Sequence, residues 1–183
     1  MHYELCIITV HYELSLGVSQ IIQKLLAEQL RWYRLQRHDF LNHWQVIMGY
    51  LQLNNPDKAL DYMRRALQGI ENEQKIGQIP EDIFAAILLG WLIRLNQEGI
   101  KTSVSYPEVM KEQSFWLNYR SEEYAEAFYG YTIECVESTS VQSKELSEEI
   151  CAEIILDEGL ACLFRVLSEG KLLLEKKLEL INE

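Results

Sequence analysis

Two of the four histidines in this 183-residue chain, His38 and His43, lie in the stretch Arg37-His38-Asp39-Phe40-Leu41-Asn42-His43-Trp44-Gln45. A free imidazole titrates near neutrality, so part of it is unprotonated in the cell and can act as a nucleophile. On a helix, residues four apart share a face, which puts Arg34, His38 and Asn42 in one row with Gln45 a step beyond. Arg31, Arg34 and Arg37 add a cationic strip beside that row. Forked guanidinium donors suit a carboxylate-lined pocket or a phosphoryl group. The plain alternative is a solvated helix face, with an idle surface histidine and arginines paired to Glu28 and its neighbours. His43 precedes an apolar position and is expected to flank a packing seam.

The element that must hold His38 is a long helix. Apolar residues recur as Leu26, Tyr33, Phe40 and Ile47, and four residues further on as Leu30, Arg37, Trp44 and Leu51. This is a 3-4 heptad seam with one polar interruption, Arg37. No Gly or Pro falls between Ser19 and Met48, so the pattern predicts a helix from near Val18 to about Leu53. Roughly 36 residues at a rise of about 1.5 Å span about 54 Å, longer than a small domain is wide. His38 directly follows a seam position and points off the seam. Asn54-Asn55-Pro56-Asp57 then stops one helix and starts another, with Asn55 as cap and Pro56 at the first helical position. Ala59, Met63, Ala66 and Ile70 line the second helix, expected to end around Ile76-Gly77. The unequal arms leave apolar surface bare, so two such hairpins are expected to pair as a dimeric four-helix bundle.

Beyond Gly77 the pattern changes. Pro80 to about Gln97 reads as an apolar helix ending at Gly99, Ile100–Tyr106 as a strand, and Ser121 to about Glu137 as a helix. Ile150–Leu156 and Leu160–Leu167 read as two strands joined at Asp157-Glu158-Gly159, and the Leu-, Lys- and Glu-rich tail from Gly170 as a final helix. The fold class is therefore α+β. Its expected organisation is a 1–17 extension without an assigned role, a hairpin over 18–77 and an α+β domain over 78–183.

Composition narrows the function. Hydrophobic residues make up 48% of the chain, enough for a core, and 17 Lys and Arg stand against 28 Asp and Glu, a net charge of -11. That balance opposes nucleic-acid binding. Cys6, Cys135, Cys151 and Cys162 form no C-x-x-C pair and no zinc spacing with the histidines. The opening residues are too polar for a signal peptide or a membrane span, so a cytoplasmic protein with reduced thiols and no membrane association is expected.

The string Arg37-His38-Asp39-Phe40-Leu41-Asn42, then Val46-Ile47-Met48-Gly49 and Pro56-Asp57-Lys58-Ala59, resembles the phosphoacceptor region of one branch of the histidine kinases. That branch holds the citrate and fumarate sensors and the sporulation phosphorelay phosphotransferase. The resemblance covers roughly residues 20–75 and implies a phosphoaccepting His38 on a hairpin that dimerises. It further implies response-regulator partners, one giving and one taking the phosphoryl group, with Mg²⁺ supplied by the partner and no cofactor of the chain's own. Asp39 and Asn42 would assist His38. Arg34, Arg37, Leu41 and Gln45 would meet the partner, although Arg37 can instead pack in the seam. The C-terminal half resembles the kinases' ATP-binding domain in element order. Where those kinases carry a Mg²⁺-holding Asn, however, Tyr131 and Cys135 align, and thiol sulfur is a poor ligand for this hard cation. Ser168-Glu169-Gly170 does not supply their Gly-rich lid. A degenerate ATPase-like domain without autokinase activity is the expectation. The rivals are a divergent kinase and a non-catalytic regulator-binding dimer.

Overall fold

In a computed structural model of the chain, backbone is described for residues 2–68, 70–117, 122–143 and 150–179, and side chains for 22–67, 70–117, 123–140 and 150–179. The first helix, α1, runs from His2 to Gln52, 51 residues, or about 76 Å at a rise of about 1.5 Å. It starts well before Val18. Gly17 lies there, but one interior glycine costs a helix only about 1 kcal/mol, and α1 continues through it. At its other end Asn54 takes the left-handed conformation, φ 53°. Its N–H donates to Leu51 O at 3.0 Å, and Asn55 N–H donates to Tyr50 O at 2.9 Å. That pair of bonds closes a helix end and calls for Gly or Asn at the left-handed position. Pro56 then opens α2 (Pro56–Gln68), and Lys58 N–H donates to Asn55 Oδ1 at 3.4 Å.

The second helix does not reach Ile76. It stops at Gln68, residue 69 lies outside the described residues, and a separate helix α3 (Glu71–Ile76) follows. Ile70 sits at φ −101°, ψ 3°, with no side-chain cap on α3. An apolar stripe marks the buried face of a helix and not its end, so the stripe alone overestimated the length. α3 is tied to the sheet rather than to the hairpin. Asn72 Nδ2 donates to Thr102 O at 2.7 Å, and Asn72 Oδ1 accepts from Val104 N–H at 3.2 Å.

The remaining elements are α4 (Asp82–Gln97), β1 (Lys101–Ser105), a 3-10 turn at Glu108–Lys111, α5 (Gln113–Trp116), α6 (Glu122–Ser143), β2 (Ile150–Leu156), β3 (Cys162–Ser168) and β4 (Lys171–Leu178). Glu81 caps α4 by accepting from Phe84 N–H at 2.6 Å. Gly99, φ 76°, ends it as the sequence indicated. The turn and α5 had no periodic signal. They form around Trp116, which is buried and donates its indole N–H to Met110 O at 2.7 Å.

The sheet has order β1-β2-β3-β4, with β1 parallel to β2 and the other pairs antiparallel. Asp157 builds the β2–β3 turn, its Oδ1 accepting from Gly159 and Ala161 N–H at 2.9 and 2.8 Å. The tail is β4, not a helix. Glu169 and Gly170 take φ 49° and 80°, the two left-handed residues that a two-residue hairpin turn demands. Pairing with β3 overrides the helix propensity of Leu, Lys and Glu. The inward side chains Ala152, Ile154, Phe164 and Val166 face α4 and α6. Trp91, fully buried, lies 5.1 to 6.2 Å from the rings of Phe164, Tyr131 and Phe128. Aromatic burial of this kind contributes about 1.5–3 kcal/mol per side chain.

Candidate functional site

At about 100° per residue, α1 presents three faces roughly 120° apart. One carries Arg31, Arg34, His38, Asn42, Gln45 and Gly49. A second carries Leu25, Glu28, Gln29 and His43, which contact the chain's own α2 and α4. The third carries Leu26, Leu30, Tyr33, Phe40, Trp44 and Leu51, each at least half exposed. The third face is the heptad seam; its side chains stay at least half exposed, with Phe40 and Trp44 also bordering α2 and α4.

His38 stands in the open, its side chain 73% exposed. Both of its polar contacts meet the same ring nitrogen. Asn42 Nδ2 lies 3.2 Å and Asp39 Oδ1 3.4 Å from Nδ1, so Nε2 has no partner among the described residues. The two contacts ask for opposite states of Nδ1, a lone pair facing Asn42 Nδ2 and a proton facing Asp39. Turning the Asn42 amide over replaces Nδ2 by Oδ1, and both side chains then accept from one Nδ1–H. In that tautomer the lone pair sits on Nε2. Successive helix residues do not normally face each other, yet the short Asp39 side chain reaches Nδ1 at the long end of a hydrogen bond.

The structure brings Arg34, His38, Asn42 and Gln45 onto one exposed face, with Leu41 exposed at its margin. Arg37 is also exposed but lies toward the seam. Arg31, Arg34 and Arg37 form no ion pair among the described residues. Glu28, the partner that a solvated-face reading would give them, is taken by Arg94 and Tyr129 instead. His43 does not flank the heptad seam. Its Nδ1 lies 2.8 Å from Tyr62 OH, with the rings 5.6 Å apart, so it joins α1 to α2. Tyr62 and Arg94 escaped sequence reasoning because their partners are 19 and 66 residues away, beyond the reach of local spacing. On the side of α1 turned away from His38, a groove of about 770 Å³ opens between α1, α2 and α4, lined by Phe40, Trp44, Ile47, Met63 and Leu67, with Glu73 at its edge.

In the C-terminal domain, Tyr131 and Cys135 turn into the core. Tyr131 OH donates to Lys176 O at 2.8 Å. Burial raises the Tyr131 pKa and pushes the Cys135 thiol up to about 12, so both stay protonated. Among the described residues, no group of three or more His, Cys, Asp or Glu could hold a metal ion, and no helix is long and apolar enough to cross a membrane.

The site is thus an antiparallel helical hairpin with an exposed histidine on its long arm. Residues 20–79 match the family model described as the alpha-helical domain of SpoOB-type sensor kinases. The match covers the hairpin and supports a SpoOB-type, sensor-kinase- or phosphotransferase-like protein. No curated protein matches the chain.

Proposed function

We propose that the chain is a histidine phosphotransferase of a phosphorelay, acting on response regulators and working as a homodimer. The observation that carries this reading is the free Nε2 of an exposed His38 on a hairpin of the SpoOB-type family. The Nε2 lone pair attacks the phosphorus of an aspartyl phosphate on a first regulator. The P–N bond forms as the P–O bond breaks, and the aspartate leaves as carboxylate with the bonding pair. No proton is lost, because Nδ1–H stays on the ring. The ring then carries positive charge, which the Asp39 carboxylate stabilises from 3.4 Å. A carboxylate of a second regulator reverses the step. Arg31 and Arg34 neutralise the phosphoryl group and steer the regulator's acidic pocket, which brings its own Mg²⁺. Leu41 and Gln45 extend the docking face, and Asn42 holds the imidazole.

The bare seam on α1 supports the dimer, since about half of each of six large side chains faces water in the single chain. The family's sporulation context suits a relay protein of the cytoplasm. An autokinase is less favoured. The α6 positions that align with the kinases' Mg²⁺ ligand are packed among Trp91, Phe164 and Cys162, where a nucleotide has no access. The test is incubation with a phosphorylated response regulator. The chain should acquire an acid-labile, base-stable phosphate that His38→Ala abolishes and His43→Ala retains. Labelling of the His38→Ala chain would overturn the assignment.

A further inference from the structure

Glu28 faces the C-terminal domain, and each of its carboxylate oxygens is held from there. Oε2 accepts from Arg94 Nη1 at 2.8 Å, and Oε1 accepts from Tyr129 OH at 2.8 Å. Arg94 Nη2 donates to Thr132 Oγ1 at 2.9 Å, and the guanidinium carbon lies 5.6 Å from the centre of the Tyr129 ring. One carboxylate thus joins α1 to α4 and α6. Gly90 makes room for it, because a Cβ at that position would come within 3.1 Å of Glu28 Oε2. Burial, helped by Glu28, raises the Tyr129 pKa, so the hydroxyl remains a donor through the neutral range. Among the described side chains, the apolar part of the contact is small. Between residues 22 and 52 only Leu25 is buried, and Gln29 adds one bond of 3.4 Å to Ala86 O. Arg94 Nε is buried without a hydrogen-bond partner, so the Nη groups alone hold the cation in place.

We propose that Glu28, Arg94, Tyr129 and Thr132 form an interdomain clasp that fixes the C-terminal domain on α1 at one height and one rotation. The clasp lies ten residues from His38, about 15 Å along the helix. Closed, it makes the domain a fixed flank of the basic row, and a molecule docking at His38 meets helix and domain as one surface. Open, it leaves Leu25 as the main apolar anchor among the described side chains, and the domain turns independently of α1. The inference holds whether or not His38 accepts a phosphoryl group.

Paired spin labels test it. One label goes on Cys151, which is exposed on β2, and one on Gln52→Cys at the end of α1, in a chain carrying Cys6→Ser; Cys135 and Cys162 are buried. Dilution into excess unlabelled protein restricts the reading to pairs within one chain. The parent should give one narrow distance distribution. Glu28→Ala and Arg94→Met should each broaden it at least twofold without loss of the circular-dichroism signal, and Tyr129→Phe should broaden it less. Should Arg94→Met fail to fold, Glu28→Ala decides alone, since its side chain lies outside the C-terminal core. An unchanged distribution in Glu28→Ala, or equal broadening by Asp61→Asn, which breaks only an exposed ion pair within α2, would overturn the clasp.

Discussion

Two carboxyl groups near the hairpin show how position decides chemistry at the scale of one side chain. Asp39 is 69% exposed and reaches the His38 ring, whereas Glu73 sits at the edge of the apolar groove, where loss of hydration raises its pKa. An acid raised in the fold binds more protons native than unfolded, so stability falls as pH climbs from the ordinary Glu range through the raised value. The penalty is complete above that window and absent below it. Glu73→Gln should therefore raise the melting temperature at neutral pH and leave it unchanged below about pH 4, where carboxyls are protonated in both states. Calorimetry across that range checks the sign, and an equal gain at both pH values would contradict it. Within the candidate site, the exposed row of Arg34, His38, Asn42 and Gln45 was legible in the sequence because helical spacing alone puts them on one face. The Asp39 contact was not, since it depends on a rotamer. Nor was His43, whose role is set by Tyr62 on another helix.

Among the elements, α1 is distinguished by having one face for its own chain, one for His38 and one left bare. Phe40 belongs to the bare face and touches only its neighbour Trp44, ring centres 5.9 Å apart, among the described aromatic contacts. In the single chain Phe40→Asp removes little buried surface. In the proposed dimer it buries an unpaired carboxylate, which costs several kcal/mol. Sedimentation should find the parent dimeric at micromolar concentration and Phe40→Asp monomeric with its helix content kept; a monomeric parent would refute the bundle. The ends of α1 and α4 could be read from Asn54 and Gly99, because left-handed caps are local chemistry. The break after Gln68 and the strand β4 could not. A stripe of apolar residues says which face is buried but not where a helix stops. Leu-Lys-Glu composition favours helix until a turn such as Glu169-Gly170 folds the segment onto β3.

For the whole molecule, the aromatic core fixes what the C-terminal domain can bind. With Tyr131 and Cys135 turned inward, millimolar ATP with Mg²⁺ should leave the melting temperature unchanged, whereas a nucleotide that bound the native state would raise it. A clear upward shift would revive the kinase reading. The Asn72 bridge to β1 bears on a different property, the protein's behaviour at high concentration. β1 ends the sheet, and the outer row of an end strand is a template on which another molecule's strand can add. The Asn72 side-chain amide donates to Thr102 O and accepts from Val104 N–H, so it satisfies these groups as a neighbouring strand would. Asn72→Ala frees both. The expected result is a modest loss of stability with faster growth of light scattering and thioflavin signal on warming, and Asn72→Gln should restore little because its longer arm misplaces the amide. A single side chain thus occupies the edge groups on which self-templated polymerisation would otherwise start.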